Sequence, residues 1–267
     1  MGKIFMNCIL YLVRSSNEDL ENFNKSLKLI EDNLVPFTKN IDLLVFCEKT
    51  FDDFKSKVKT NLNIKYQTVT FTLPDYSQEI LNNIPEFYPH PTHGNGPVAW
   101  GHPGFSMGYR HMCRFFSGHM YEFDILKKYE YYLRLDTDSF IHSPLNYDIF
   151  EWAKINDCYY GYISPAVQKD NPKVIEELWN VVNQLIPENF IEEGTMFYTN
   201  FELGKVSWFL TSEYMRFYNE LDKTGGFYTK RWGDAPIKYL GINLLMEPKH
   251  IIPVRGFTYQ HGAIYEV

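Results

Sequence analysis

The 267-residue chain has no apolar stretch long enough to cross a bilayer. Its early run 8-CILYLV-13 is short and stops at Arg14. No secretory signal pattern opens the sequence, and Met6 stands where a myristoylation signal needs Ser or Thr. The expectation is a soluble chain with no membrane span, or a soluble piece of a longer anchored protein. Cysteine is also scarce: Cys8, Cys47, Cys113 and Cys158 form no C-x-x-C pair, which excludes a zinc knuckle or a thioredoxin-like motif. Cys8 and Cys47 fall in apolar strand-like runs, where buried free thiols are expected. An excess of positive charge is missing as well. Lys and Arg total 26 against 33 Asp and Glu, a net charge of -7. Broad binding to nucleic acid or to an anionic membrane is therefore not expected. A phosphate-bearing ligand would need a local arginine patch or a metal ion. No internal repeat and no linker divides the chain, so one domain over residues 1–267 is expected.

What the sequence holds in quantity is aromatic residues, 17% of the chain, with 20 Tyr and 21 Phe. A ring face packs on a pyranose face, so this surplus suits a sugar-binding cleft; it equally suits an aromatic-rich core. The first half alternates strand-like and helix-like segments. Residues 7–14 are apolar and β-rich. Residues 16–34 open with capping and acidic residues, and Leu20, Phe23, Leu27, Ile30 and Leu34 keep the helical period. A second buried strand is predicted at 41–48, a helix at 50–62 and a third strand at 64–73. This alternation predicts an α/β fold with a parallel sheet and right-handed crossovers, in which ligands gather at the carboxyl ends of strands. Residues 74–106 carry six prolines and read as a long irregular loop. Its His90 and His93 stand among prolines that forbid helical ligand spacing, so solvated histidines are expected there rather than a metal site. Further helices are predicted at 107–123, 172–185, 205–221 and 234–246, and a strand at 129–138. Gly225-Gly226 closes the helix at 205–221.

The stretch 129-YEYYLRLDTDSFI-141 carries two aspartates at its end. Strand alternation puts Arg134, Asp136 and Asp138 on one face, with Tyr132 behind them. Two adjacent carboxylates repel unless a cation or a shared proton offsets the repulsion. Mg²⁺ or Mn²⁺ takes such oxygens together with phosphate oxygens. The pair would then clamp a nucleoside diphosphate through the metal and stabilise the leaving diphosphate, with Arg134 contacting phosphate. An Asp-x-Asp motif alone is common, and two other readings fit it. One is an acidic strand-end turn in which Asp138 caps the loop toward Pro144. The other is a phosphatase of the haloacid dehalogenase type with Asp136 as nucleophile. In that type the motif ends the first strand, whereas three strand-like runs precede it here.

The stretches 109-YRHMCRFFSG-118, 130-EYYLRLDTDSFI-141, 200-NFELGKVSWF-209 and 225-GGFYTKRWGDAP-236 occur in this order. With 9-ILYLVRSSNEDLENFNKSLKLIED-32 they resemble the fungal Golgi α-1,2-mannosyltransferases of glycosyltransferase family 15. The likeness covers nearly the whole chain and is weakest across the Pro/His loop. It implies a GT-A fold, a single α/β domain around a mixed sheet. Within it, residues from 1 to about 140 would bind nucleotide and those from about 141 to 267 would face the acceptor. It implies mannose transfer from GDP-mannose to a glycan or glycoprotein hydroxyl, with retention of configuration and with Mn²⁺ (or Mg²⁺). The family's metal motif reads Glu-Pro-Asp where this chain has Asp136-Thr137-Asp138, and His261 matches the family's further metal ligand.

Glu202 matches the family's candidate nucleophile. Two routes stay open: attack by Glu202 on the anomeric carbon, or a front-side path in which a diphosphate oxygen takes the acceptor proton. Structurally, Glu202 also reads as an acid at a helix N-terminus. Asp234 reads as the N-cap of a helix beginning Ala235-Pro236, and is expected to border a sugar. Arg14 ends the first strand and is expected near a phosphate or the base. Arg110 and Arg114, one helical turn apart, would face the diphosphate together or pair with acids. Tyr109 and the aromatics of 227-FYTKRW-232 are candidate sugar platforms. His142 stands where family members tend to carry Cys, which speaks against a disulfide framework. That favours a cytoplasmic or other non-Golgi compartment, with the Golgi lumen the alternative if an anchor precedes the chain. Transfer of a different nucleotide sugar, and a binding module without turnover, are the alternative functions.

Overall fold

The computed structural model describes residues 6–86, 106–163, 168–170, 172, 175, 177–187 and 191–267. The first part runs β1 (Met6–Val13), α1 (Asn17–Asn33), β2 (Ile41–Cys47), β3 (Ile64–Thr68), α2 (Gln78–Asn82), α3 (Met107–Ser117), β4 (Tyr129–Leu135) and β5 (Phe140–Ile141). It continues with α4 (Ile149–Ile155), β6 (Tyr160–Tyr162), β7 (Gln168–Lys169), α5 (Leu178–Leu185), β8 (Thr195–Met196), β9 (Phe201–Lys205) and α6 (Val206–Phe209). Then come α7 (Ser212–Lys223), α8 (Gly226–Thr229), α9 (Asp234–Leu245), β10 (Ile251–Pro253), β11 (Thr258–His261) and β12 (Ala263–Glu266).

Period-2 patterning builds the sheet. In β1, Ile9, Tyr11 and Val13 enter one core while Cys8 and Leu10 enter another; β2 divides Leu43, Val45 and Cys47 from Leu44 and Phe46 in the same way. The main sheet has seven strands in the order β10-β6-β9-β4-β1-β2-β3. β4, β1, β2 and β3 are mutually parallel, whereas β9 is antiparallel between β4 and β6. This is a mixed sheet with the parallel half that the sequence predicts. α1 starts where Ser16 accepts the Asp19 backbone N–H, and it buries Phe23, Leu27 and Ile30 against the sheet. Each such fully buried side chain contributes roughly 1.5–3 kcal/mol. Two smaller sheets, β12-β11-β5 and β7-β8, stand beside the main one.

Several elements depart from the sequence reading: the helix expected at 107–123 ends at Ser117, and the strand expected at 129–138 ends at Leu135. The helix expected at 50–62 is instead two 3₁₀ turns, Lys49–Asp53 and Lys55–Lys57. Phe51 and Phe54 stack with centroids 5.7 Å apart, the three-residue spacing that a 3₁₀ turn eclipses, and Val58 is already extended. The helix expected at 205–221 divides: Lys205 ends β9, α6 is a single turn, and Thr211 caps a new helix by accepting the Tyr214 N–H. β3 stops at Thr68, short of residue 73. His90 and His93 lie outside the described residues. All four cysteines are buried free thiols, and burial pushes Cys113 and Cys158 up to about 12. Among the described residues no helix is long and apolar enough to cross a membrane.

Candidate active site

β4 delivers the site. It lies inside the sheet between β1 and β9. Leu133 and Leu135 face the α1 side, so Tyr132 and Arg134 face the other. Past Leu135 the chain turns, with the Ser139 N–H donating to the Asp136 carbonyl at 3.0 Å. Asp136 and Asp138 therefore sit in a turn beyond the strand rather than on its face. Tyr259 on β11 and Ser139 tie this turn down: the Tyr259 hydroxyl donates to Ser139 Oγ at 2.7 Å, and Ser139 Oγ to the Asn200 carbonyl at 3.1 Å.

A cleft of about 590 Å³ opens above the turn. It brings together Arg14, Tyr109, Arg134, Asp136, Asp138, Asp234 and His261 of the sequence-derived residues. Arg134 is buried beneath them. Its guanidinium donates to Asp234 at 2.6 Å and to Asp136 Oδ1 at 3.3 and 3.2 Å, and it lies 3.4 Å from the centroid of the Phe116 ring. Burial opposes its charge, but Asp136 and Asp234 outweigh burial and move its pKa up. Asp136 is raised by burial in spite of Arg134. Asp138 is lowered, chiefly by His261 beside it. Burial opposes protonation of His261, but Asp138 and Asp136 prevail and raise it.

The metal-ligand candidates are near one another without forming a finished cage. Asp136 is turned onto Arg134, and among the described residues no three His, Cys, Asp or Glu side chains stand ready around one point. His261 Nδ1 lies 3.3 Å from Asp138 Oδ1, yet without the alignment of a hydrogen bond, so this buried nitrogen has no hydrogen-bond partner among the described residues. The Tyr198 hydroxyl donates to the His261 carbonyl at 2.7 Å and holds the residue at the cleft. An unfilled imidazole nitrogen beside two carboxylates is a donor set that suits Mn²⁺.

Asp234 is in the first turn of α9, and Gly233 takes the N-cap position expected of it. Its carboxylate turns inward to Arg134 and also accepts the Thr199 hydroxyl at 3.0 Å. Arg14 stands at the rim, 77% exposed, and grips Asp19. Tyr109 accepts a hydrogen bond from Arg231 at 2.7 Å.

Several expected contacts are not in the cleft. Arg110 is buried and donates to the carbonyls of Tyr228, Pro85 and Glu86, each at 2.8 Å. Arg114 forms a two-pronged pair with Asp222 at 2.8 and 2.8 Å. Neither arginine faces a diphosphate; ordinary pairing accounts for Arg114, and carbonyl bracing for Arg110. Phe227, Tyr228 and Trp232 are core residues rather than sugar platforms. Glu202 lies on β9, not at a helix N-terminus, and it is fully buried beneath the cleft rather than lining it.

Sequence reasoning missed Arg231 and Lys238. Arg231 lines the cleft at a positive φ of 59°, a sparsely populated backbone state that the surrounding structure must hold in place. Its signal was its place at the head of RWGDAP. Lys238 is buried against Glu202, and its only local signal is a position four residues after Asp234.

The profile of a family described as glycolipid 2-alpha-mannosyltransferase matches residues 3–196 and 193–267. The chain belongs to this family. Among its relatives, the probable mannosyltransferase KTR3 of Saccharomyces cerevisiae is 28% identical over 268 residues, covering 92% of this chain and 64% of the relative. The probable mannosyltransferase MNT3 of Candida albicans is 36% identical over 172 residues, covering 59% and 45%. The chain thus spans from about half to under two thirds of the length of these relatives. Core-mannan synthase A (CmsA/Ktr4) of Aspergillus fumigatus, in a Mn/GDP form, has a TM-score of 0.79 at 22% identity, covering 98% of this chain and 76% of that one. The mannosyltransferase Ktr4p of S. cerevisiae in complex with GDP has a TM-score of 0.74 at 24% identity, covering 97% and 71%. The GT-A fold is thereby borne out, and neither family nor fold favours the phosphatase reading of Asp136.

Proposed function

We propose that this chain transfers mannose from GDP-mannose to a hydroxyl of a glycan or glycoprotein, with retention of configuration and with Mn²⁺ as cofactor. The observation that carries this reading is the gathering of Asp136, Asp138 and His261 at the end of β4, in a chain of this family. The relatives KTR3 and MNT3 carry the name mannosyltransferase, and one structural neighbour holds Mn and GDP. Asp136, Asp138 and His261 would hold the metal. Bound there, Mn²⁺ would supply a Lewis acid that offsets charge on the leaving diphosphate.

The other residues bind and orient. Arg14 offers an exposed cation at the rim for a phosphate. Arg134 keeps Asp136 and Asp234 apart and fixed, so the acids do not repel each other out of place. Asp234 presents a carboxylate that would accept a hydrogen bond from a sugar hydroxyl. Tyr109 contributes a ring to the same wall. In this arrangement residues 1–140 supply Arg14, Tyr109 and the two aspartates, and residues 141–267 supply Asp234 and His261, so the metal site would draw on both the nucleotide part and the acceptor part. The net charge of -7 supports a reading without nucleic acid as partner. The four buried free thiols support a reducing, non-Golgi compartment, which mass measurement after alkylation of the denatured, unreduced protein would test by the number of thiols labelled.

The functional test is a panel of nucleotide sugars with Mn²⁺, followed by thermal shift and by donor turnover. GDP-mannose should stabilise the fold by mass action and be consumed. If no GDP- or UDP-sugar stabilises the protein, the reading fails.

A further inference from the structure

Beneath the cleft, four side chains close a ring of alternating charge. Arg134 on β4 and Glu202 on β9 are directly opposed in the ladder, so their side chains share one face of the sheet. Asp234 and Lys238 stand one turn apart on α9 and share one face of that helix. The helix lies over the two strands so that Asp234 pairs with Arg134 at 2.6 Å and Lys238 with Glu202 at 3.1 Å. Side chains of Glu202 and Lys238 are both 0% exposed.

Every side-chain polar atom of the inner pair has a hydrogen-bond partner. Glu202 Oε1 accepts from Lys238 and from the Tyr132 hydroxyl, and Oε2 accepts from the Tyr160 hydroxyl at 3.2 Å. Lys238 also donates to the Tyr121 hydroxyl, and its ammonium lies 4.1 Å from the centroid of the Phe209 ring. Gly204 makes this possible. A Cβ at Gly204 would lie 2.3 Å from the Tyr132 ring, so only a bare backbone lets that ring lie on β9 with its hydroxyl at Glu202. Burial lowers Lys238 to about 8 against the opposing pull of Glu202. Buried ions of opposite sign persist when each is paired and hydrogen-bonded, and removing one partner strands the other.

We propose that Glu202 and Lys238 are positioning residues whose buried pair fixes the rotation of α9 on the sheet and so holds Asp234, through Arg134, at the wall of the cleft. Glu202 does not attack the donor sugar. An attacking carboxylate oxygen must come within about 3–3.5 Å of the reacting carbon, and Glu202 is fully buried below the cleft without lining it. This inference rests on the glycosyl-transfer reading above for its kinetic part only.

The experiment compares Glu202→Gln, Lys238→Met and the double variant Glu202→Met/Lys238→Met in the full chain. Amide hydrogen exchange over residues 234–240 and turnover of GDP-mannose with Mn²⁺ are both read. Each single variant should exchange faster over α9 and lose about 10²-fold in kcat, the cost of a small misplacement, with donor KM within about threefold. The double variant removes both charges at once. It should regain α9 protection and at least about tenfold of the kcat lost by Glu202→Gln. A double variant with α9 protection restored and turnover no better than Glu202→Gln would overturn the proposal. So would unchanged exchange in all three. Formation of a β-mannosyl azide by Glu202→Ala supplied with azide would show that Glu202 is the nucleophile after all. If the wild type consumes no GDP-mannose, the functional reading fails, and the exchange data still judge the ring.

Discussion

Arg134 joins two regions built on opposite terms. Above it, Asp138 and His261 are 49% and 27% exposed, meet at 3.3 Å, and leave a ring nitrogen without a hydrogen-bond partner among the described residues. Below it, Glu202 and Lys238 are fully enclosed, and tyrosines complete what they do not give each other. An unfilled polar atom in a half-buried place is costly for the fold, and a ligand can offset that cost. A partnered one carries no such cost for a ligand to offset. The difference separates groups left open to a ligand from groups that already have their partners, although all are charged and all lie within one stretch of wall and floor.

The comparison is broken most severely at the upper region. Asp138→Ala should lower Mn²⁺-dependent GDP affinity by more than about 10²-fold while thermal unfolding without ligand stays close to wild type. Titration of the variant with GDP and Mn²⁺ measures it, and tight binding retained there contradicts the metal assignment. A smaller effect, of the other kind, is expected at Gly204. Gly204→Ala pushes a methyl group into the Tyr132 ring and should cost about 1–3 kcal/mol in denaturant unfolding, as overpacking does. A neutral result means that the ring has another place to go.

The smallest effect is a slope. Burial holds Lys238 at about 8 in the folded protein, below the ordinary lysine value of 10.5. A depressed lysine means that the unfolded chain binds more protons between those values. The penalty is in full force below pH 8 and is relieved as pH rises toward 10.5. Relative to Glu202→Met/Lys238→Met, the wild type should therefore gain stability from pH 8 to pH 10. Equilibrium unfolding at several pH values gives the difference directly, and a flat or falling difference denies that burial depresses Lys238 in the fold.

How much of this was legible follows from which residues are neighbours in sequence. β1, α1, β2 and β4 could be read because each carries its own period, and α1 also carries its Ser16 cap. Asp136, Asp138, Asp234 and His261 could be placed because resemblance to a family points at positions without needing contacts. Arg110 and Arg114 show the limit. One helical turn of spacing fits a diphosphate, an Asp222 or a set of carbonyls equally well, and only tertiary packing chose the last two. The charged ring was the least legible feature. Its members and their caps come from positions 121, 132, 134, 160, 202, 234 and 238, and only Tyr132 with Arg134, and Asp234 with Lys238, have a local relation. The failed helix at 50–62 had a local cause, since Phe51 and Phe54 satisfy a three-residue repeat as well as a helical one.

The four-residue step from Asp234 to Lys238 also limits how this chain can change in length. One residue gained or lost between them turns the helix by about 100°, and Asp234 and Lys238 then no longer address Arg134 and Glu202 together. Added residues beyond Leu245 leave that angle untouched. Insertions and deletions should therefore be tolerated after α9 and rejected within its first five residues, whatever substitutions the same positions accept.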